Sequence, residues 1–242
     1  MSRPLVLFAR GMKTASTLLH CMVENTLGKE AVISFGCHDW QGAAAEINRL
    51  REPDTFMASA HMPFGAHRRI EGRCEYVTLL RDPVDRVASL YHHVQMPHLT
   101  DHWLHRPGAT LAQWFDWQRR EGGAVTNAAV RNLAGHDIDN GQGGEFAAMA
   151  AADLELAQQN LRAHFPVVGV MERFEPFLRA FEARHELAPH HMGHVNGRRG
   201  VPPYGQRPTD RQTLPPDLVA AIDADNELDL ELYRFARDEL AP

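Results

Sequence analysis

The sequence predicts an α/β fold: a P-loop-like parallel β-sheet with helices on both faces. Three observations carry this. Short continuous apolar runs such as Leu5–Ala9 (LVLFA) and Glu75–Leu80 (EYVTLL) have the pattern of strands buried on both sides. Such runs alternate with segments of helical character, which argues for a parallel sheet. The first run also ends in Arg10-Gly11 and leads into a helix, a strand, glycine turn and helix in sequence.

The elements follow in order. Leu5–Ala9 is a strand and Ser16–Leu27 a helix. Ala31–Phe35 is a second strand, Ala43–Arg51 a helix and Thr55–Ala60 a third strand. Glu75–Leu80 stops at Arg81-Asp82-Pro83, where Asp82 can cap a helix and Pro83 suits its first turn. That helix runs to about Val94. Helices follow at Leu111–Arg120, Thr126–Leu133 and Gly144–His164. Pro166–Val170 is a late strand and Arg173–His185 a helix. Pro189–Pro208 is a long polar loop rich in Gly and Pro, a length that within a compact domain points to function or disorder. Leu214–Leu240 closes the chain as one amphipathic helix.

The 242 residues, 44 % hydrophobic and 23 % charged, fit a single globular domain over 1–242 and exclude a disordered, collagen-like or coiled-coil chain. The net charge of −6 argues against nucleic-acid or anionic-membrane partners, which need a basic footprint. Cys21, Cys37 and Cys74 are widely spaced and form no C-x-x-C, so a reducing, cytoplasmic setting is expected. No stretch is long and apolar enough for a membrane span. The early apolar run is short for a signal-peptide core.

Arg10-Gly11-Met12-Lys13-Thr14-Ala15-Ser16-Thr17 places a glycine turn, a lysine and three hydroxyls at a helix N-terminus, the chemistry of a phosphate- or sulfate-like anion site. Met12 stands where an ATPase loop has its second glycine. The plainer reading makes Lys13 a surface residue and Ser16 a cap. The second signal is Arg81, delivered to the end of its strand, with Ser89 two turns into the next helix. A guanidinium fork and a hydroxyl can converge there on one anion. Alternatively Arg81 is tied to the sheet edge, Asp82, Asp85 and Arg86 form helix-surface ion pairs, or Asp82 is a magnesium ligand.

Together these segments resemble the sulfotransferases that use 3′-phosphoadenosine 5′-phosphosulfate (PAPS), most closely the branch of the uronosyl 2-O-sulfotransferases and their bacterial relatives. Arg10–Thr17 is similar to the family's P-K-T-[AG]-[ST]-[ST] loop, with Gly11-Met12 replacing the usual pair. Leu80–Arg86, then Ser89 and Tyr91-His92-His93, is similar to L-R-D-P-x-x-R with its later Ser and aromatics. Weaker echoes follow in order: Ala60–Gly65 (AHMPFG), Asn127–Gly135 (NAAVRNLAG), Val168–Phe174 (VGVMERF), His194-Val195-Asn196, and Asp229–Phe235 (DLELYRF). The likeness spans about Leu5–Phe235.

The resemblance implies a sulfotransferase fold and in-line transfer of a sulfuryl group. Arg10, Gly11, Met12, Lys13, Thr14, Ala15, Ser16 and Thr17 would then hold the 5′-phosphosulfate, with Lys13 neutralising the leaving phosphate. Arg81 and Ser89 would hold the 3′-phosphate. Val195, Asn196, Arg198 and Arg199 would contact the adenosine or the 3′-phosphate. No metal is required. The acceptor would be a hydroxyl or amine of a small molecule or carbohydrate, and the acidic balance makes a long polyanionic glycan the less natural one. A histidine suits the role of general base, and the resemblance points to His61, ahead of His20 and His38. His190, His191 and His194 offer a weaker metal-site pattern in a loop context. Arg131 would orient the central helices. Trp103, Trp114 and Trp117 line an acceptor pocket or belong to the core. A P-loop kinase using ATP and magnesium, or a non-catalytic nucleotide-binding module, are the alternative functions.

Overall fold

The computed structural model describes residues 3–14, 16–34, 40–120, 125–136, 148–189 and 210–242. Strands β1 (Leu5–Ala9), β2 (Val32–Ser34), β3 (Met57–Ala60), β4 (Cys74–Leu80) and β5 (Val167–Val170) form one sheet in the order β2-β3-β1-β4-β5. Every pairing is parallel, with Val6 opposite Met57 on one side and Glu75 on the other. Continuous apolar runs form these strands because both faces are covered, and all five residues of β1 are buried.

The side chains of β1 alternate between two cores. Val6 and Phe8 meet Leu19 and Met22 of α1 (Ser16–Leu27) and Phe177 and Phe181 of α7 (Phe174–His185). Leu5, Leu7 and Ala9 lie in the opposite core. There they share one cluster with Ile47 of α2 (Trp40–Leu50), Val130 of α5 (Ala128–Ala134) and Leu161 of α6 (Ala151–His164). A third cluster joins α3 (Pro83–Val94), α4 (Leu111–Arg120) and α8 (Pro216–Asp225) through Val87, Trp114 and Ile222. The chain moves one way along the sheet from β1 to β2 and the other way from β4 to β5. Crossovers of one hand therefore put α1 and α6 on opposite faces. In open parallel sheets ligands bind at the carboxyl ends of the strands, which here brings the residues after β1 and β4 to the same edge.

Two expectations are corrected. Leu214–Leu240 is not one helix. It divides at Asn226 into α8 and α9 (Glu227–Phe235), followed by a wider turn over Ala236–Leu240. Asn226 is fully buried and its backbone leaves helical geometry (φ −120°, ψ 31°), because its side chain is drawn inward. Its Oδ1 accepts from the Asn127 amide and from Arg86 Nη2, each at 3.1 Å. Arg86, in turn, is no surface residue paired with Asp82 or Asp85. It is 4 % exposed and bonds Asp229 Oδ2 at 3.1 Å and the Val125 carbonyl at 2.7 Å. Smaller shifts are at helix starts. α6 begins at Ala151 rather than Gly144, where Asp153 accepts from the Ala150 amide, and α5 at Ala128 after Asn127 in a left-handed conformation (φ 45°).

Asp229 completes this buried junction. Its carboxylate accepts from the Val130 amide at 2.8 Å and the Ala129 amide at 3.1 Å, capping α5 with a negative charge. Arg86, Asn127, Asn226 and Asp229 thus tie α3, α5 and the α8–α9 joint together. Replacing Asp229 by Ala leaves a buried guanidinium without its carboxylate and two amides uncapped. The expected loss is about 3–5 kcal/mol, read as a lowered urea midpoint. A loss under about 1 kcal/mol would deny the junction this role.

Candidate functional site

β1 carries Arg10 to its carboxyl end, where the Arg10 amide still bonds the Ala60 carbonyl of β3 (3.4 Å). The chain then turns sharply. Thr14 is 3 % exposed and donates its hydroxyl to the Gly11 carbonyl at 2.9 Å. Lys13, at the apex, has φ 65°. A lysine in the left-handed region costs about 1–2 kcal/mol, and such strain persists only where the surroundings impose it. Met12 packs against the α3–α4–α8 cluster, which holds the turn from its other side. Ser16 and Thr17 open α1. Ala15 and the side chains of Ser16 and Thr17 lie outside the described residues.

β4 ends at Leu80, and Arg81 reaches back across the turn, its Nη1 donating to the Lys13 carbonyl at 3.4 Å. Asp82 caps α3 as the sequence predicts. Its Oδ1 accepts from the amides of Val84 (2.9 Å) and Asp85 (3.3 Å). Asp82 also grips the guanidinium of Arg211, at 2.9 Å from Nε and 3.1 Å from Nη2. A guanidinium therefore stands where the magnesium reading would put a metal. Ser89 is half-buried on α3, two turns past Asp82.

His61 immediately follows β3, the neighbour of β1. Its Nδ1 lies 3.0 Å from the Arg10 carbonyl. A carbonyl only accepts, so Nδ1 carries the proton and Nε2 is the acceptor nitrogen of the neutral ring. The following loop is fastened at three points. The Phe64 amide bonds the Asn132 carbonyl at 2.8 Å. The Tyr76 hydroxyl accepts from the amides of Gly65 (3.1 Å) and His67 (3.0 Å). Gly135, at φ 90°, lets α5 end against this loop: a Cβ there would stand 2.9 Å from the Phe64 carbonyl. Two motif echoes, 60–65 and 127–135, thus form one contact.

Arg10, Lys13 and Arg81 meet no carboxylate among the described residues, and Arg10 Nε is buried without a hydrogen-bond partner. Burial lowers the Arg10 and Lys13 pKa values, and Arg81 lowers that of Lys13 further. Two histidines feel the same field. His93, pushed down to about 4, does so by burial first and then by Lys13. His20, also pushed to about 4, does so by burial and then by Arg10, and it packs edge-on to Phe8 with Nδ1 3.3 Å from the Ser34 hydroxyl. Three cations that close no ion pair among the described residues therefore lie at or beside a strained turn ahead of a helix N-terminus.

Among the tryptophans, Trp114 is core, with Nε1 on the Leu104 carbonyl (2.8 Å), while Trp103 is 39 % exposed. Arg106 covers the face of Trp117. Arg131 is buried and holds the Thr126 carbonyl at 2.9 Å, an orienting contact within the central helices. His38, His190, His191, His194, Val195, Asn196, Arg198 and Arg199 lie outside the described residues. Sequence reasoning missed Arg211 and Tyr76. Arg211 lies 126 positions from Asp85 in the chain, and no local spacing signals such a contact. It also missed Glu172, whose Oε1 accepts from the Asp82 amide at 3.2 Å; the V-G-x-x-E-R-F echo was its only sequence signal.

Comparison with known families places a match on this region: the model described as "Sulfotransferase domain" matches residues 8–129, half of the chain, from β1 into α5. No curated protein matches the chain. No helix among the described residues is long and apolar enough to cross a membrane.

Two outcomes follow from the geometry. Lys13→Ala removes a half-desolvated charge that Arg81 repels, so thermal unfolding should stay within about 1 kcal/mol of wild type or rise. A clear destabilisation would mean that Lys13 is structural. The second concerns acid. Burial holds His20, His93 and His185 down to about 4, against 6.5 for an unperturbed histidine. As pH falls below 6.5 the unfolded chain binds protons that the folded chain refuses, so stability declines between 6.5 and about 4. Urea midpoints should be lower at pH 5 than at pH 7, and equal midpoints would contradict the burial of these rings.

Proposed function

The chain belongs to the sulfotransferase-domain family, and on that premise we propose that it moves a sulfuryl group from PAPS to a hydroxyl or amine of a small-molecule or carbohydrate acceptor, with residues 1–242 acting as one unit. The observation that carries this reading is the set of Arg10, Lys13 and Arg81, held together with no carboxylate among the described residues. The residues suit PAPS because it bears anionic groups at two ends. The turn of 10–17 and the Arg81–Ser89 pair offer two anion-binding places, at the ends of neighbouring strands β1 and β4. The donor, once bound, supplies an activated sulfuryl group with a phosphate as leaving group.

The chain's own residues then have separable tasks. Lys13 and the amides of its turn draw negative charge toward the 5′ end, where charge develops during transfer. Thr14, fixed through Gly11, holds the turn in its strained shape. Arg81 and Ser89 bind the 3′-phosphate and so distinguish this donor from ATP. His61 presents Nε2 as the general base, with Nδ1–H anchored on the Arg10 carbonyl, an arrangement that fixes the tautomer a base requires. Positioning and charge supply the catalysis, as in phosphoryl transfer. The order of the echoes from Arg10 to Phe235 supports the uronosyl 2-O-sulfotransferase branch. Val195, Asn196, Arg198 and Arg199 complete the donor contacts in this reading, and the cysteine usage supports a cytoplasmic setting.

Calorimetric titration with adenosine 3′,5′-bisphosphate, against ATP with magnesium, tests the donor. Micromolar bisphosphate binding that weakens about 100-fold (about 2.7 kcal/mol) in Arg81→Ala is expected. Preference for ATP with magnesium would replace this reading by a kinase. His61→Ala should retain bisphosphate binding within about twofold and lose about 10²–10⁴-fold in turnover. Undiminished turnover would move the base to another residue.

A further inference from the structure

Arg81 stands among carboxylates. Asp82 is its chain neighbour and Asp85 lies in the first turn of α3. Glu172, from the turn after β5, reaches the Asp82 amide at 3.2 Å. Any of these could close an ion pair with Arg81, which would cancel the charge that an anion needs. Arg81 nevertheless enters no ion pair among the described residues, and its hydrogen bond goes to the Lys13 carbonyl.

The carboxylates are engaged elsewhere, two of them by Arg211. Its guanidinium lies between Asp82 and Asp223: Nε and Nη2 meet Asp82 at 2.9 and 3.1 Å, and Nη1 and Nη2 meet Asp223 at 2.6 and 2.8 Å. Its backbone amide donates to Asp85 Oδ1 at 2.7 Å. Glu172 is bound to the Asp82 amide and to the Tyr233 hydroxyl. A fork between two carboxylates is the geometry at which arginine binds most firmly.

We propose that Arg211 is a positioning residue of the donor site: by holding Asp82, it keeps Arg81 unpaired and available to a phosphate. The inference rests on the reading above that Arg81 binds the 3′-phosphate. Without Arg211, the Asp82 carboxylate turns to its neighbour Arg81 and competes with the ligand from within the chain. Such competition lowers affinity by the fraction of Arg81 that it captures.

Calorimetry with adenosine 3′,5′-bisphosphate separates this from a scaffolding role. Arg211→Met should weaken binding about tenfold. Asp82→Asn placed in the same chain should restore it to within about threefold, because Asn caps α3 as well as Asp but carries no charge. A double variant as weak as Arg211→Met alone, or an Arg211→Met protein that binds like wild type, overturns the proposal. Asp82→Asn with Arg211 intact gives a reading that does not depend on the folding of Arg211→Met. Binding unchanged within about threefold is expected, since Asp82 is already engaged, and severalfold tighter binding would show that Arg211 does not sequester it. Absence of bisphosphate binding in wild type overturns the donor reading and this proposal with it. Wild-type binding that survives in Arg211→Met overturns the proposal alone.

Discussion

Burying the Arg86 guanidinium is expensive, and the remainder of the fold is arranged around meeting that expense. Removing such an ion from water costs several kcal/mol unless carboxylate and hydrogen-bond partners replace the solvent. Asp229 supplies the charge, and Asn226 and the Val125 carbonyl join it as acceptors on Nη2, while Nη1 stays buried without a hydrogen-bond partner. Those three come from two distant parts of the chain, so the pair forms only when α3, α5 and the α8–α9 joint are all in place. The helix break at Asn226 and the left-handed Asn127 are local consequences of that requirement. Of the residues in the weaker motif echoes, Asn127 and Asp229 serve this junction, and Arg86 of the Leu80–Arg86 segment is its centre.

The junction also positions the site. Arg86 and Arg81 bracket the start of α3, so fixing one end of that turn constrains the other. α5 meets the loop after His61 through Asn132 and Gly135, and Tyr76 holds that loop from below. The result is a rigid floor under three cations and a histidine whose tautomer is set by the Arg10 carbonyl. Like charges this close destabilise the folded chain, as does a lysine at φ 65°. Each strain is concentrated beside β1, where the chain reverses direction along the sheet. Stability is given up there, and in the proposed function the donor's anionic groups would relieve that field.

Much of this was legible in the sequence because it depends on neighbours in the chain. The strand at Leu5–Ala9, the helix at Ser16–Leu27 and the cap at Asp82 match the structure, and the helices expected to end about Val94 and to span about Leu111–Arg120 are found at Pro83–Val94 and Leu111–Arg120. Their signals are apolar runs, helical spacing and cap chemistry, all of which act over a few residues. The turn between β1 and α1 was legible for the same reason: a glycine and a helix start lie within a few residues of the strand end. The terminal segment was misread because Leu214–Leu240 has a helical period throughout, and period does not report an asparagine drawn inward by an arginine 140 positions away.

By itself, then, the sequence determined the α/β class, the parallel sheet and most elements, because burial on two faces and helix capping leave periodic and local marks. Only the tertiary structure decided which charges are paired. Arg86 went to Asp229 rather than to Asp82 or Asp85, Asp82 went to Arg211, and Arg10, Lys13 and Arg81 kept no carboxylate among the described residues. Ion pairing depends on distance and on solvent exclusion in three dimensions, and neither is written in the spacing of residues along a chain.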